Sequence, residues 1–233
     1  MKHCSSSIQI LESRWQSLLL SFQVEPELIQ QVFRDLVAAY SSINRFYHTL
    51  QHIQHILDTL DDMKPMALNF PTVQLAAWFH DVIYNSKSQD NEEKSAEYAV
   101  AALTRLTIPS VTVERVKTLI LSTKTHQATP DDIDCQILLD ADLAILGAAE
   151  IEYKTYRRAI RQEYSWLTDK RYRVGRKEFL EQLLQRQNLY FTEQMFITLE
   201  VRARQNIQAE LSTLSSESWI RSIGTSLQDY EPC

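Results

Sequence analysis

Residues 41–60 predict a helix that begins near Ser41 or Ser42 and carries a group of histidines. These histidines are His48, His52 and His55. Their spacing of i, i+4 and i+7 places the side chains on one stripe of a helix, where imidazole nitrogens can converge on one divalent cation. The apolar side chains of the stretch fall on the opposite side of the helical wheel. The stripe therefore either faces a cleft or is exposed to solvent.

A second candidate centre is the pair His80-Asp81 within V-Q-L-A-A-W-F-H-D-V-I-Y, residues 73–84. This stretch has almost no polar face at helical spacing, which predicts a helix that is buried on all sides. A buried carboxylate is costly unless it is paired or bound to a cation, and the stretch contains no Lys or Arg. A divalent metal held by both residues would keep Asp81 charged. In the alternative interpretation, Asp81 caps a helix end beside a neutral His80.

Asp140 and Asp142 repeat this pattern in the apolar stretch I-D-C-Q-I-L-L-D-A-D-L-A-I-L-G, residues 133–147. Two residues apart on a helix, their side chains point in roughly opposite directions, so at most one readily faces the ion of His80 and Asp81. We expect the other to hydrogen-bond to backbone or to a ligand histidine.

Two further groups of polar residues could meet an anionic substrate. Lys124 and His126 lie just beyond a predicted helix over 111–122, where Lys124 could contact a phosphate oxygen and His126 could be a ligand or proton donor. Exposed surface polarity is the alternative. Residues 153–186 hold ten Lys or Arg against four acids, which suits either a phosphorylated substrate or a solvated helix face.

Helices must position all of these groups. Only three Gly and six Pro occur in 233 residues, and β-branched alternation is rare, so we expect a nearly all-α protein. We expect a single helical domain over residues 1–214, with a core at about 40–150 on which N-terminal and C-terminal helices pack. Residues 215–233, with Trp219 as one anchor, are expected to form a partly mobile tail.

Composition excludes several classes of protein. The chain is 44% hydrophobic and 23% charged, which suits a soluble globular protein. It has no run of about 18 uncharged apolar residues and no apolar core of a signal peptide, so we expect a cytoplasmic protein without a membrane partner. A net charge of −6 argues against nucleic-acid binding. Cys4, Cys135 and Cys233 are too far apart to predict a disulfide or a cysteine zinc site.

The order of the motifs resembles the HD-domain superfamily of metal-dependent phosphohydrolases. Y-H-T-L-Q-H-I is similar to the Y-H-N-x-x-H-A element of its cyclic-nucleotide phosphodiesterase branch, and A-D-L-A-I-L to its A-D-R-L element. Still closer is an uncharacterised bacterial family of predicted HD phosphohydrolases. It shares R-x-Y-H-x-x-x-H-I, F-H-D-x-x-Y, D-N-E-x-S-A, L-D-A-D-L-x-I-L-G and I-R-x-E-Y. Here these motifs span Arg45 to Ile53, Phe79 to Tyr84, Asp90 to Ala96, Leu139 to Gly147 and Ile160 to Tyr164.

The resemblance implies an all-α, HD-domain-like helical bundle with additional C-terminal helices. It also implies a set of metal ligands, namely His52, His80, Asp81 and Asp142. His48 would match the phosphodiesterase histidine that donates a proton to the leaving oxygen. H-T-L-Q-H-I also fits the simpler H-S-x-x-V form, in which His48 is the ligand and His52 is not, but Tyr47-His48 favours the longer form. Asp140 stays the alternative to Asp142.

Two imidazoles and two carboxylates leave coordination positions open and suit Mn²⁺, Fe²⁺, Mg²⁺, Co²⁺ or Ni²⁺ better than a closed zinc site. The resemblance thus implies a phosphohydrolase in which a metal-bound water attacks a small phosphate ester, most plausibly a nucleotide. We expect catalytic roles for Asp81, His48 and Lys124. Substrate-binding candidates are Arg45, His126, Arg161 and Arg176.

Two other classes of function stay open. One is a regulatory HD module that binds a metal or nucleotide without hydrolysis, and the other is a di-iron oxygenase, which would need further histidine ligands such as His126. The sequence defines neither the substrate, the metal and its stoichiometry, nor the oligomeric state.

Overall fold

The computed structural model describes residues 2–216, and this part of the chain is all-α, which confirms the predicted fold class. Its ten α-helices are α1 (Lys2–Leu20), α2 (Pro26–Tyr40), α3 (Leu50–Met63), α4 (Phe70–Phe79), α5 (Asn91–Arg105), α6 (Ser110–Thr123), α7 (Ile133–Leu143), α8 (Glu150–Glu163), α9 (Asp169–Gln185) and α10 (Glu193–Ser215). None of these helices is both long enough and apolar enough to cross a membrane. Most of the expected tail, including Trp219, lies outside the described residues.

The N-terminal helices pack on α4 through aromatic side chains. Trp15 of α1 is completely buried, and its indole N–H donates to the carbonyl oxygen of Ile29 at 3.0 Å. Its ring meets Trp78 and Phe79 edge-on, with centroids 5.4 and 5.9 Å apart. Such edge-to-face pairs add to the hydrophobic gain of burying the rings. Helices α1 and α2 therefore cover one side of α4.

Helix α4 is shorter than the sequence predicts. The predicted helix spans residues 73–84 and encloses His80 and Asp81, whereas α4 ends at Phe79 and both residues lie at its C-terminal end. The interior of α4 is nevertheless apolar and buried, as its composition indicates.

Tertiary contacts explain where α4 ends. The hydroxyl of Tyr40 donates to the carbonyl oxygen of Trp78 at 2.9 Å. The guanidinium of Arg45 donates to the carbonyl oxygens of Asp81 at 2.6 Å and Val82 at 2.8 Å. Because these donors satisfy carbonyl groups at the end of the helix, the chain can turn there without leaving buried acceptors unpaired.

Helix α3 also starts later than predicted, at Leu50 rather than near Ser41 or Ser42. The Thr49 side chain accepts the N–H of Gln51 and caps the helix. In a helix that started earlier, the N–H groups of Phe46, Tyr47 and His48 would bond to carbonyls four residues back. Instead all three donate to one carboxylate oxygen of Glu163, at 2.8, 2.8 and 3.0 Å. A residue 115 positions away thus overrides the local helical preference of the segment before Leu50.

Helix α10 is fixed to α7 and to the turn that follows it. The carboxylate of Asp140, which is completely buried, accepts the N–H groups of Phe191 and Thr192, each at 2.8 Å, and the Thr192 hydroxyl at 2.7 Å. A Cβ added at Gly147 would lie 2.6 Å from the Cβ of Leu199, so the close approach of α10 requires glycine there. Asp140 therefore stabilises the packing of α10 against α7.

A buried ion pair joins the last three helices. Glu210 of α10 accepts the hydroxyl of Tyr153 at 2.6 Å and the Nε–H of Arg176 at 3.0 Å. Arg176 also donates to the Tyr156 hydroxyl at 3.1 Å. Because α8 ends in Glu163, these contacts also hold the segment before α3 in place.

Asp140→Ala should lower the free energy of unfolding by about 2–4 kcal/mol, because it leaves buried donors at the start of α10 without an acceptor. Chemical denaturation measures this loss. Divalent metal stoichiometry should stay at the wild-type value, and loss of metal without loss of stability would show that Asp140 serves the site instead.

Candidate metal centre

Three donor atoms from two segments of the chain meet at the C-terminal end of α4. The Nε2 atom of His80 lies 3.0 Å from Oδ2 of Asp81 and 3.3 Å from Nε2 of His52. The distance from His52 Nε2 to Asp81 Oδ2 is 3.7 Å. All three lie within 4.8 Å of one another, so this group could hold a metal ion.

Asp142 of α7 faces the same group. Its Oδ1 lies 3.3 Å from His52 Nε2 and 3.6 Å from His80 Nε2. Its Oδ2 accepts a hydrogen bond from Nε2 of His126 at 2.9 Å. The structure therefore brings Asp142 to the histidines and turns Asp140, two residues earlier, towards α10.

These distances fit the coordination of a small divalent ion. With metal–ligand bonds near 2.1 Å, neighbouring donors lie about 3.0–3.4 Å apart and opposite donors about 4.2 Å apart. The Nε2 atoms of His52 and His80 face each other at 3.3 Å. Two facing lone pairs repel unless a proton or a cation lies between them. Together with two carboxylates, this donor set suits a divalent ion.

The His80 ring is held in the orientation that a ligand requires. Its Nδ1–H donates to the carbonyl oxygen of Ala77 at 2.9 Å, since a carbonyl can only accept. With Nδ1 engaged in this way, Nε2 is the ring nitrogen that faces His52, Asp81 and Asp142. Such a hydrogen bond from the far nitrogen is usual for histidines that bind metals.

Both aspartates of the site are ionised at neutral pH. Burial disfavours the charged form of Asp81, but the charges of His80, His48 and His52 and a hydrogen bond from His80 together outweigh burial and keep the pKa well below the usual range. Burial likewise opposes ionisation of Asp142, and hydrogen bonds from His126, His52 and His80 lower its pKa further than burial raises it. The ion-pair partners of both carboxylates are histidines. The site thus concentrates negative charge that a cation would compensate.

His48 lies beside the group and is held by a different residue. Its Nε2 is 3.8 Å from Oδ2 of Asp81, while its Nδ1–H donates to Oε2 of Glu163 at 2.7 Å. The hydroxyl of Tyr84 donates to the same oxygen at 2.9 Å, and the Tyr84 ring stacks on the imidazole with centroids 4.1 Å apart. This arrangement favours His52 over His48 as the metal ligand.

Glu163 is the residue that sequence reasoning missed. Its side chain is fully buried and accepts three backbone N–H groups, the Nδ1–H of His48 and the hydroxyl of Tyr84. Burial opposes its charge, but bonding to His48 prevails and lowers the pKa to about 2. The motif I-R-x-E-Y contains Glu163, and that was its one signal in the sequence.

Burial disfavours the protonated form of His48, whereas the negative charge of Asp81 and the hydrogen bond to Glu163 favour it. The charge of Asp81 and the hydrogen bond to Glu163 together outweigh burial, so the pKa of His48 is raised from its ordinary value. A protonated His48 is therefore stabilised next to the group that could hold a metal.

Two of the predicted substrate-binding arginines are hydrogen-bonded within the fold itself. Arg45 is buried and donates to the carbonyl oxygens of His48, Asp81 and Val82. Arg176 is buried against Glu210. These contacts correct the expectation that either guanidinium is free to clamp a phosphate.

Arg161 and Lys124 are also occupied. Arg161 donates to the carbonyl oxygen of Tyr164 at 2.8 Å and to Asp169 at 2.6 Å, which fixes the turn after α8. Lys124 forms an exposed ion pair with Glu93. Neither cation contacts the metal-binding group, so the substrate and catalytic roles expected for them find no support in these contacts. His126, by contrast, contacts the site through Asp142.

Another cation lies close to His126. Nη2 of Arg186 donates to the carbonyl oxygen of Thr125 at 3.1 Å, and Nη1 is buried without a hydrogen-bond partner among the described residues. A buried donor without a partner costs free energy, which an anion could recover. Arg186 belongs to the basic segment 153–186, but no pattern in that segment sets it apart.

Comparisons of this chain with protein-family models, with curated proteins and with solved structures found no match. The interpretation of the site therefore depends on its own geometry.

His52→Ala should weaken Mn²⁺ binding by more than about 100-fold, a larger loss than the 10–100-fold typical of residues that only support a ligand. His55→Ala is the matched control, because His55 lies one turn further along α3 and is exposed. Equilibrium dialysis with elemental analysis measures both affinities. Equal affinities for the two variants would contradict the assignment of His52.

Glu163 should stabilise the fold in a pH-dependent way. Because folding lowers its pKa from 4.5 to about 2, its contribution of about 3 kcal/mol is complete above pH 4.5 and is lost as the pH falls towards 2. Denaturation of the wild type and Glu163→Gln should therefore differ most above pH 5 and converge near pH 2. Glu150→Gln removes an exposed carboxylate from the same helix and should change the profile little. A constant difference at every pH would contradict this role.

Proposed function

We propose that this protein is a metal-dependent phosphohydrolase that acts on a small phosphate ester such as a nucleotide. The observation that carries the proposal is the convergence of His52, His80 and Asp81, with donor atoms 3.0–3.7 Å apart, and the approach of Asp142 to within 3.3 and 3.6 Å of the two histidines. The likeness of the sequence motifs to HD phosphohydrolases supports the same reaction class. When bound at such a site, a divalent ion supplies Lewis-acid activation of water and of a phosphoryl oxygen.

In this proposal, His48 protonates the leaving oxygen of the substrate. Its Nδ1–H is committed to Glu163, so the proton that it can deliver is the one on Nε2. Nε2 lies 3.8 Å from the Asp81 carboxylate, next to the position that the phosphate would occupy at the metal. Glu163 is a positioning residue here, since it fixes the tautomer and the direction of the imidazole and does not itself reach the substrate.

His126 and Arg186 are the groups best placed to contact other oxygens of the phosphate. His126 already donates to Asp142, and Arg186 lies one hydrogen bond from the carbonyl that precedes His126. A guanidinium with an unused donor suits the planar arrangement of two phosphate oxygens. These two residues replace Arg161 and Arg176 in the substrate-binding role.

A screen of phosphate esters and nucleotides against Mn²⁺-, Mg²⁺-, Fe²⁺-, Co²⁺- and Ni²⁺-loaded protein should detect metal-dependent release of phosphate or of a nucleoside monophosphate. Asp81→Ala should abolish this release while circular dichroism still shows a folded helical protein. Stoichiometric metal uptake without turnover of any ester would contradict the proposal and favour a regulatory module. Two bound irons with oxygen consumption would favour an oxygenase.

His48→Asn should lower kcat by roughly 10²–10⁴-fold for esters with alkyl leaving groups, because they need a proton on the leaving oxygen. For p-nitrophenyl esters the loss should be much smaller, since that leaving group departs as an anion. Steady-state kinetics with a series of leaving groups measures the difference. An equal loss across the series would mean that His48 acts in another way.

A further inference from the structure

A cleft of about 310 Å³ lies between the start of α3 and the outer face of α8. Its walls are mainly aromatic and aliphatic, and the side chains that form them are Phe46, Tyr47, Tyr156, Ile145 and Ile151. His52 lines the cleft as well. The cleft and the candidate metal centre therefore share a side chain.

Two segments that carry the site also border the cleft. Tyr47 directly precedes His48, and its ring contacts His52 with centroids 4.7 Å apart. Ile145 follows Asp142 by three residues. The cleft and the metal group therefore lie on either side of the same short segments, joined at His52.

The charges of the residues that line the cleft limit which ligands it can bind. None of the described residues that line it is Lys or Arg, and its ionisable residues are His52, His55 and Glu152, whose carboxylate also accepts the N–H of Ala149 at 3.3 Å. Arg176 lies 5.2 Å from the centroid of the Tyr156 ring, but its charge is paired with Glu210. A second phosphate group in the cleft would meet Glu152 without a compensating cation.

The polar side chains of the cleft can serve an uncharged molecule. Thr49, Gln51 and Thr155 offer hydroxyl and amide groups at its margin. An apolar wall with a few polar groups is the usual composition of a site for a small organic ligand, and 310 Å³ falls at the small end of such sites. Tyr47 and Tyr156 offer ring faces and edges to a flat ligand.

We propose that this cleft binds the organic part of the substrate, and that the substrate is a phosphomonoester of an uncharged ring compound. The inference rests on the proposed hydrolase function, because it places the phosphate at the metal. Nucleoside diphosphates and triphosphates are excluded as good substrates, since their additional phosphates would have no cation in the cleft.

Calorimetric titration of the Mn²⁺-loaded protein with phosphonates tests the ring preference without turnover. Phenylphosphonate should bind about tenfold or more tightly than methylphosphonate, because its ring buries apolar surface in the cleft. Thr155→Trp fills the cleft from an exposed position and should abolish this preference. Arg158→Trp, on the same helix but outside the cleft, should keep it. An equal affinity for both phosphonates in the wild type would overturn the inference.

A charged ring tests the role of Glu152. 4-Carboxyphenylphosphonate should bind about tenfold more weakly than phenylphosphonate, and Glu152→Gln should remove most of that difference. Glu150→Gln removes the same charge two residues earlier, outside the cleft, and should leave the difference in place. An identical response of the two variants would overturn the proposed exclusion of anionic groups.

The results separate this inference from the proposed function. Hydrolysis of phosphomonoesters without a ring preference would overturn the cleft assignment alone. The protein could also hydrolyse no ester and still show a ring preference that Thr155→Trp abolishes. This result would support the cleft as a ligand site and overturn the hydrolase function. Failure of the Mn²⁺-loaded protein to bind either phosphonate would overturn both.

Discussion

The carboxylates of Asp81 and Asp142 lie at a junction of buried helices, where ionised groups need compensation. Their pKa values are held low by histidines, and the Nε2 atoms of His52 and His80 face each other at 3.3 Å. A cation held by His52, His80 and Asp81, with Asp142 beside it, would compensate this negative charge. Much of the surrounding structure has the effect of holding these donors at this spacing.

The C-terminal helices contribute to this arrangement through Glu163. The Arg176–Glu210 pair fixes α8 against α9 and α10, and the carboxylate at the end of α8 then gathers the backbone of residues 46–48. This contact sets the start of α3 and so the position of His52, and it also directs His48. Helices far away in sequence thereby set the positions of both His52 and His48.

The sequence allowed the all-α class and the residues of the metal group to be predicted, because apolar helices with internal acids and histidines stand out locally. The family resemblance implied Asp142 with Asp140 as the alternative, and alternation on a helix shows only that the two diverge; the structure turns Asp142 towards His80 and Asp140 towards α10. The start of α3 and the role of Glu163 could not be predicted from spacing. Both arise from a contact between residues 115 positions apart, which outweighs local propensity. The engagement of Arg45 and Arg176 within the fold has the same origin.

X-ray absorption spectroscopy of the Mn²⁺-loaded protein tests the shared cation most directly. We expect two imidazole nitrogens and carboxylate oxygens at about 2.0–2.3 Å, and loss of one imidazole contribution in His52→Ala. A spectrum with oxygen ligands alone, unchanged by His52→Ala, would contradict the account.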